Sequence, residues 1–582
     1  MNMFREKSFW GMIVVIILCM AVNVRHPHLW GPDEPREAEI ARECIVGHHL
    51  VTPYFNGIPF VEKPPLYYDL AAAALFLHRQ ISGDVSWSPG AARAVSALLG
   101  ALMLASLLVF TWKTAGGKIA LTACALCLSM PQFYRAAHWI LLDIGVGAFV
   151  TAALAACGMM IADGRRSNLL SALFFFFAGA AFLTKGVVTA VYIGVVILPW
   201  MLLCRKGLPF RLNWTMLFFV VPVGIWLALF YREGGVYYLH EHFINNIFGR
   251  FFHVNLTLPG SPVTISDVGN SSRMTFYFER MPNMFGAVFV LVPLILAAAY
   301  RAFRLPFFAF SLPVPLKKVW DFLTAPQGGP AERDRNLYIY LLCWTFIPLL
   351  FFSLPAIKEV TYLLPSYAGL AVLAAQYLER YIGSEDFSCR RFFLFFCLPC
   401  VLIAVAAEFA APFSLTLFFV LIGVLAAAML LPAVRFLRAR VFRPVVLLIL
   451  AGLVGGVVIG NVPELMRRTR LHRKCYRSFS LRIGEIAGRR KIYLRGGDES
   501  IRGCLPFFGD RPIEVLSSEE ALFKLLEKPE DDRVVLMPCD RRRKFADEET
   551  FRRLSSLWEE TLFDLPDKAD SFVMFSPRTS AK

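Results

Sequence analysis

Long apolar stretches separated by short polar segments make up the chain as far as Gly460. A helix needs about 20 apolar residues to cross the hydrocarbon core of a bilayer. The stretches of suitable length and low charge are residues 9–24, 91–111, 117–133, 140–162, 169–183, 187–204, 214–231, 284–300, 337–354, 360–377, 392–411, 413–434 and 445–460. This pattern predicts an α-helical polytopic membrane protein with about thirteen transmembrane helices.

The apolar stretch 66–77 is too short to span a bilayer, and we predict an interfacial helix that lies on the membrane. This choice fixes on which side every later loop falls. With a cytoplasmic N-terminus, most arginine-rich and lysine-rich short loops then fall on the cytoplasmic side, as the positive-inside rule requires. The rule therefore favours about thirteen spans, with the C-terminus on the outer side.

Three longer segments remain outside, namely residues 25–90, residues 232–283 and the tail from residue 461 onward. The tail has strand-like runs at 491–495, 533–537 and 571–575 and a helical stretch at 517–526. We therefore predict two domains: a transmembrane domain over residues 1–460 and a small periplasmic α/β domain over residues 461–582. Cys475, Cys504 and Cys539 allow a disulfide in an oxidising periplasm, but the sequence cannot pair them.

Composition agrees with a membrane protein, because 57% of the 582 residues are hydrophobic. The formal net charge is +16, which in a soluble protein would suggest a nucleic-acid partner. Much of this excess lies in short loops between apolar stretches, where it sets topology. We therefore predict the lipid bilayer, and no nucleic acid, as a partner. Arg5 and Lys7 precede the first apolar run, which lacks a clean cleavage site, so we expect an uncleaved first helix.

Charged residues follow the first predicted span at the outer surface. Asp33 could accept a proton or a hydrogen bond from a sugar acceptor, with Glu34 beside it, and Arg36 could bind a phosphate. The alternative is an ordinary helix start, with Asp33 as the cap and Pro35 in the first turn. The two interpretations are compatible.

A second charged motif, Glu62-Lys63-Pro64-Pro65, comes later in the same outer segment. The two prolines bar a helix before Leu66 and hold the loop rigid. Lys63 suits the phosphate of a lipid. The alternative is an interfacial lysine beside an aromatic belt that includes Tyr67.

Further charges stand at the outer ends of predicted spans. Asp143, Lys185 and Lys358 are each expensive to place at that depth, which makes them candidates for a functional site. Each alone could be a snorkelling charge. Together with Asp33, Glu62 and Lys63 they would form a site for a phosphate-bearing lipid and a polar acceptor.

The second outer segment adds Arg250, another candidate for phosphate binding. His240, His242 and His253 could bind a divalent metal together with Glu62, although their spacing is not a diagnostic metal motif.

Four motifs occur here in a characteristic order: Asp33-Glu34 with Glu39-Ile40, then Glu62-Lys63-Pro64-Pro65-Leu66-Tyr67-Tyr68, then Leu183-Thr184-Lys185-Gly186, and Lys358 with Tyr362-Leu363-Leu364-Pro365. Together they resemble the membrane family of 4-amino-4-deoxy-L-arabinose transferases that act on lipid A, a family related to the dolichyl-phosphate-mannose protein mannosyltransferases. The resemblance covers roughly the first 460 residues, and the tail also matches the expected organisation.

The resemblance implies a GT-C fold, an undecaprenyl-phosphate sugar as donor and lipid A as acceptor in the bacterial inner membrane. It implies that Asp33 is the catalytic aspartate and Asp143 the second one, with Glu34 as a further catalytic candidate. It also implies that Glu62 and Lys63 lie near the donor phosphate and a bound metal. The substrate-binding candidates are Arg36, Glu62, Lys63, Tyr67, Lys185, Arg250, Lys358 and Tyr362.

Two alternatives stay open from the sequence. The acceptor could be a protein or another surface glycan, because no residue excludes either. A flippase for a lipid-linked sugar is less favoured, because the charged residues gather at one face and no inverted repeat is visible.

Overall fold

The computed structural model describes residues 3–21, 24–261, 271–293, 295–296, 299, 332–382, 476–528, 530–539, 557–563 and 571–577. The predicted spans 392–411, 413–434 and 445–460, and also Cys475, lie outside these residues. The predicted domain boundary at residues 460 and 461 lies outside them as well and stays a prediction.

Helices dominate the described residues before residue 383. They are α1 (Lys7–Ala21), α2 (Asp33–Val46), α3 (Leu66–Ser82), α4 (Pro89–Ala115), α5 (Gly117–Leu128), α6 (Pro131–His138), α7 (Asp143–Asp163), α8 (Asn168–Lys185), α9 (Val187–Cys204), α10 (Leu217–Leu239), α11 (Arg250–Phe252), α12 (Phe276–Phe285), α13 (Glu332–Phe352) and α14 (Leu364–Ile382). A π-helical segment, His240–Gly249, joins α10 to α11.

Six helices among the described residues are long and apolar enough to cross a membrane. They are Pro89–Ala115, Asp143–Asp163, Asn168–Lys185, Val187–Cys204, Trp214–Phe252 and Arg335–Phe352. Two shorter apolar helices, Lys7–Ala21 and Gly117–Leu128, accompany them. The predicted class, a helical polytopic membrane protein, is confirmed. The stretch 66–77 forms part of the helix α3, which is not one of the six.

Two predicted spans differ from the structure at one end, and a third, 214–231, continues as helix to Phe252. The apolar run 117–133 is divided into α5 and α6, and Pro131 begins the second helix because it cannot donate the hydrogen bond that would continue the first. The run 140–162 becomes helical only at Asp143. Every residue of α7 from 144 to 161 is buried, and the helix contacts α8, α9, α13 and α14.

The tail contains a five-stranded mixed sheet. Its strands are β3 (Lys491–Leu494), β4 (Ile513–Val515), β5 (Arg533–Pro538), β6 (Trp558–Phe563) and β7 (Phe572–Pro577), in the order β4-β3-β5-β7-β6. β3 pairs in parallel with β4 and β5, whereas β7 pairs antiparallel with β5 and β6. The helices are α15 (Arg477–Ala487), α16 (Glu499–Gly509) and α17 (Glu519–Leu526). A two-stranded hairpin, β1 (Tyr54–Phe55) with β2 (Ile58–Pro59), lies earlier in the chain.

The predicted α/β character of the tail is confirmed, with three strands and one helix close to their expected positions. The sequence did not indicate β4 or β6. β4 has only three residues, and β6 exposes Glu559 and Glu560 in its middle, so neither shows a long apolar run. Leu522, Val535 and Phe575 form the buried core of this sheet together with Trp558.

Tertiary contacts divide the chain into two compact bodies. The membrane body contains Met1–Val22, Ala97–Ala137 and Asp143–Val462. The sheet body contains Asn23–Ser96, His138–Leu142 and Pro463–Lys582. The outer segment that follows α1 therefore folds together with the C-terminal sheet.

Within the sheet body, α16 packs closely on α2. A Cβ atom at Gly503 would lie 2.3 Å from the backbone carbon of Pro35, so only glycine permits this approach. Asn56 Nδ2 donates to the carbonyl oxygen of Arg502 at 2.9 Å, and Trp87 Nε1 donates to Asp510 at 2.6 Å. The C-terminal helix thus forms one wall around the start of α2.

Candidate functional site

The first charged motif begins helix α2. Gly31 has a φ of +64°, the left-handed region that suits glycine, and Pro32 occupies the cap position without a side-chain hydrogen bond. Asp33 is the first helical residue and not the cap, so the capping role that we considered for it is wrong. Its carboxylate is therefore available for other contacts.

Glu34 is a buried structural carboxylate. Its side chain is fully buried and receives two hydrogen bonds from Arg93, at 2.6 and 2.8 Å. The backbone N–H groups of Trp30 and Ile140 donate to it at 2.7 and 3.0 Å. Four donors satisfy the two oxygens, which leaves little capacity for a substrate.

Asp33 belongs to a second group, centred on Arg36. Arg36 Nη2 lies 3.0 Å from Asp33 Oδ1 and 2.9 Å from Glu37 Oε1, and its Nη1 lies 2.5 Å from Glu499 Oε2. The Asp33 side chain is 41% exposed, whereas that of Glu37 is 2% exposed. Asp33 is therefore the carboxylate on α2 that is both oriented by an arginine and open to a ligand.

The side chain of Glu37 is buried. Its Oε2 is buried without a hydrogen-bond partner in the described part of the chain. Burial raises the pKa of this carboxyl, and Arg36 opposes the rise. Arg36 faces three carboxylates, and these charges raise its own pKa even though burial acts against this. The guanidinium is thus firmly positive, and acidic side chains engage both of its terminal nitrogens.

The Glu62–Lys63 motif forms an ion pair, with Nζ and Oε2 3.6 Å apart. Both side chains are partly buried. Tyr67, by contrast, is buried, and its hydroxyl shares a hydrogen bond of 2.7 Å with Ser96. The structure therefore places Tyr67 in the core, which does not favour the substrate contact that we predicted for it.

In the membrane body, Asp143 and Lys185 form a largely buried ion pair. The two residues stand at the start of α7 and the end of α8, helices that pack side by side. Lys185 Nζ also lies 4.3 Å from the ring centroid of Tyr362, a cation–π contact. Three predicted residues, Asp143, Lys185 and Tyr362, thus belong to one group. Arg250 begins the short helix α11.

Lys358 has a different environment. Its Nζ donates to the carbonyl oxygens of Ser272 at 2.8 Å and Pro355 at 2.5 Å, and the residue is 4% exposed. Tyr277 donates to the carbonyl oxygen of Glu359 at 3.0 Å in the same region. Lys358 therefore fastens the loop before Tyr362 to the segment at Ser272.

The described residues give a divalent metal little support. They contain no group of three or more His, Cys, Asp or Glu side chains that could hold one. Glu62 is engaged with Lys63, and His242 packs edge-on against the rings of Trp226 and Phe230. These surroundings do not fit a metal centre, and we derive no chemical step through one.

Sequence reasoning missed Arg93, Glu37 and Glu499. Arg93 carried a signal, since it is an ionisable residue near the start of an apolar helix, where charge is expensive. Glu37 had no distinguishing pattern within an acidic run. Glu499 is far from α2 in the chain and reaches Arg36 only through the packing of α16.

No protein-family model matches this chain. The chain is 27% identical over 375 residues to the undecaprenyl phosphate-α-4-amino-4-deoxy-L-arabinose arabinosyl transferase of Aeromonas salmonicida, covering 63% of this chain and 59% of that protein. It is 28% identical over 384 residues to the protein of the same name from Pectobacterium atrosepticum, covering 65% and 60%. The matches thus span about three fifths of these relatives' length.

The fold has a solved counterpart. The crystal structure of ArnT from Cupriavidus metallidurans bound to undecaprenyl phosphate superposes with a TM-score of 0.71 at 19% identity, covering 99% of this chain and 98% of that one. The apo structure of the same protein gives 0.69 at 18% identity. The chain therefore shares the ArnT fold and is similar in sequence to the aminoarabinose transferases, which confirms the family resemblance that its motifs indicated.

Proposed function

We propose that this protein is a glycosyltransferase of the bacterial inner membrane that moves 4-amino-4-deoxy-L-arabinose from undecaprenyl phosphate to lipid A. The similar proteins carry this donor and sugar in their names, and the ArnT crystal structure holds undecaprenyl phosphate. The observation that carries the proposal is the group of Asp143, Lys185 and Tyr362, a cation held at the ends of two membrane-spanning helices.

The proposal includes a topology. We place the N-terminus in the cytoplasm and the C-terminal sheet in the periplasm, with about thirteen spans in between. Asp143 begins α7 and Lys185 ends α8, so both would stand at the periplasmic end of their helices.

In the donor site, Lys185 binds the phosphate of the polyprenyl carrier. Asp143 and the ring of Tyr362 fix the ammonium group, so the positive charge is already in place when the reaction begins. Arg250 adds positive charge. The bond between the anomeric carbon and the phosphate oxygen breaks, and these cations stabilise the negative charge that the departing phosphate gains.

In the acceptor site, Asp33 orients the incoming group. A phosphate of lipid A is already an anion near neutral pH, so it attacks the anomeric carbon without a general base. Asp33 would then position the amino sugar or stabilise its developing positive charge, while a hydroxyl acceptor would instead give its proton to Asp33. The new bond forms from the acceptor oxygen to the anomeric carbon, with inversion, because the displacement is single.

The remaining candidates receive supporting roles. We assign Glu34 to the structure of the α2 region, since Arg93 and two backbone N–H groups satisfy its oxygens. We assign Arg36 to the orientation of Asp33, not to phosphate binding, because three carboxylates surround it. Lys358 holds the loop before Tyr362 through two carbonyl oxygens.

The test is mass spectrometry of lipid A from cells that lack the gene and carry it back on a plasmid. The wild-type protein should add an amino sugar of pentose size to lipid A. Asp33→Asn and Lys185→Met should each lower this addition by about 100-fold or more, since a positioned acid or base and an electrostatic donor each contribute about that much. Membrane levels of each variant are measured by immunoblot.

Asp84→Asn serves as the matched control, because Asp84 is an exposed loop residue whose carboxylate bonds only locally to Ser86 in the described structure. It should modify lipid A as the wild type does. Lipid A that is unchanged by the wild-type protein would overturn the proposed acceptor and direct the search to protein or other glycan acceptors. Normal modification by Asp33→Asn would overturn the role of Asp33.

A further inference from the structure

A cavity of about 470 Å³ lies at the opposite end of α7 and α8 from Asp143 and Lys185. It is formed where α7 ends, α8 begins and α9 ends, and Asn336 of α13 completes its wall. α7 has 21 residues, so about 30 Å of helix separates the cavity from Asp143. The cavity is therefore distinct from the proposed donor site and does not depend on it.

The lining of the cavity combines cations with apolar surface. Arg165, Arg166 and Lys206 contribute positive charge, and Met160 and Leu208 contribute apolar surface. The lining residues in the described part of the chain include no acidic side chain. Such a surface matches an anion that carries an apolar portion.

The positions of two lining groups are fixed by local contacts. A Cβ atom at Gly207 would lie 3.3 Å from Arg166 Nη2, so this guanidinium rests against the backbone of the loop after α9. Trp200 Nε1 donates to the carbonyl oxygen of Asn336 at 3.0 Å, which holds the wall formed by α9 and α13. The indole lies at a helix end, as tryptophan does at membrane interfaces.

We propose that this cavity binds a phosphate-bearing anion through Arg165, Arg166 and Lys206. Two sources share this chemistry: the headgroup of an anionic glycerophospholipid, whose first acyl carbons would meet Met160 and Leu208, and a soluble phosphate. Basic pockets between transmembrane helices on the cytoplasmic side commonly take anionic lipid headgroups. Each cation near an anionic lipid surface strengthens binding by about fivefold.

The experiment is native mass spectrometry of the full-length protein in detergent, titrated with phosphatidylglycerol and, separately, with phosphatidylcholine. The wild type should retain phosphatidylglycerol in preference to phosphatidylcholine. Replacing Arg165, Arg166 and Lys206 together by glutamine should weaken phosphatidylglycerol retention about 100-fold, the product of three fivefold effects.

The matched control replaces Lys7, Lys113 and Lys118 by glutamine, which removes the same charge from exposed positions outside the cavity. It should retain the lipid like the wild type. A second variant, Arg165→Lys with Arg166→Lys and Lys206→Arg, keeps the charge and should keep most of the binding. It therefore separates loss of the site from loss of folding.

A second titration with millimolar inorganic phosphate separates the two sources. If phosphate displaces the lipid from the wild type but binds the glutamine variant poorly, a soluble phosphate is enough to occupy the site. Phosphate without effect, beside selective lipid retention, would identify the lipid headgroup. If the glutamine variant binds lipid and phosphate as tightly as the wild type does, the proposal is overturned. The cations would then only set the orientation of the chain in the membrane.

Discussion

Two neighbouring carboxylates at the start of α2 have opposite environments. Glu34 is fully buried, and Arg93 and two backbone N–H groups satisfy it. Asp33 is 41% exposed and shares Arg36 with Glu37 and Glu499. A carboxylate with all its lone pairs occupied stabilises the fold, whereas one that is oriented but open can meet a substrate.

Two buried lysines of the membrane body differ in their partners. Lys358 gives its protons to two backbone carbonyl oxygens, which fixes a loop. Lys185 meets a carboxylate and the face of an aromatic ring. Carbonyl oxygens hold a lysine in a structural role, while a carboxylate and a ring face hold the ammonium group without enclosing it in backbone.

The largest effect is expected when the partner of the buried carboxylate is removed. Arg93→Met leaves Glu34 charged and uncompensated, and we expect a loss of about 3–5 kcal/mol in the free energy of unfolding. The thermal midpoint and the yield of folded protein in detergent measure this loss. Lipid A modification should fall in proportion to the folded protein that remains.

The double variant Glu34→Leu with Arg93→Met removes both charges and should recover part of the lost stability, because no buried charge is left alone. Recovery would be incomplete, since the N–H groups of Trp30 and Ile140 lose their acceptor. An Arg93→Met protein with a wild-type midpoint but no transfer activity would contradict the structural role and return Glu34 to the candidates for catalysis.

A smaller effect is expected at Glu499, which contacts Arg36 from helix α16. Glu499→Gln weakens one of three contacts to that guanidinium, and the pair is partly exposed, so we expect a threefold to tenfold fall in kcat, about 1 kcal/mol. KM for the donor should change less, because Glu499 lies outside the proposed donor site. Glu499→Asp should restore part of the rate.

Glu485→Gln provides the control, since Glu485 is an exposed glutamate on the neighbouring helix α15. Equal rates for the two glutamine variants would show that Arg36 orients Asp33 without help from α16. A fall in thermal midpoint that parallels the fall in kcat would indicate a purely structural contact.

The smallest expected effect concerns pH and Asp69 on α3. Burial raises the pKa of this carboxyl from its usual 3.8 to about 7, and its Oδ1 has no hydrogen-bond partner within the described residues. A raised carboxyl pKa favours the folded state at low pH, and this contribution is lost as the pH rises through about 7. Wild-type protein should therefore lose stability as the pH rises from about 4 to about 7.

Asp69→Asn should flatten this dependence and raise the thermal midpoint at pH 8 by about 2 °C or more. Asp84→Asn is the control. Hydrogen bonds to Ser86 lower the pKa of the exposed Asp84, so its contribution to stability depends on pH in the opposite direction. Parallel pH curves for the wild type and Asp69→Asn would show that the Asp69 carboxyl is hydrated in the folded protein.

The helical class of the protein was predictable because hydrophobic length is a local property of the chain. Six of the apolar runs form helices long enough to span a membrane, whereas Pro131 divides the run 117–133 into two shorter helices. The α/β character of the tail was predictable from β5 and β7, whose buried runs are continuous. β6 was missed because it exposes glutamates at its centre.

The candidate site was predictable only as a set of residue types. The cost of charge at membrane depth identified Asp143 and Lys185, and the structure pairs them. Asp33 and Glu34 stand in one acidic run, and both were catalytic candidates. Local sequence does not report which of two adjacent side chains will be buried.

By itself, then, the sequence determined a helical membrane protein with a small α/β tail and a resemblance to the aminoarabinose transferases. Tertiary structure alone decided that Arg93 pairs with Glu34, that Glu499 contacts Arg36 and that Lys358 donates to the carbonyl oxygen of Ser272. Hydrophobic periodicity is a property of consecutive residues, whereas the partners of a charge come from distant segments and depend on packing.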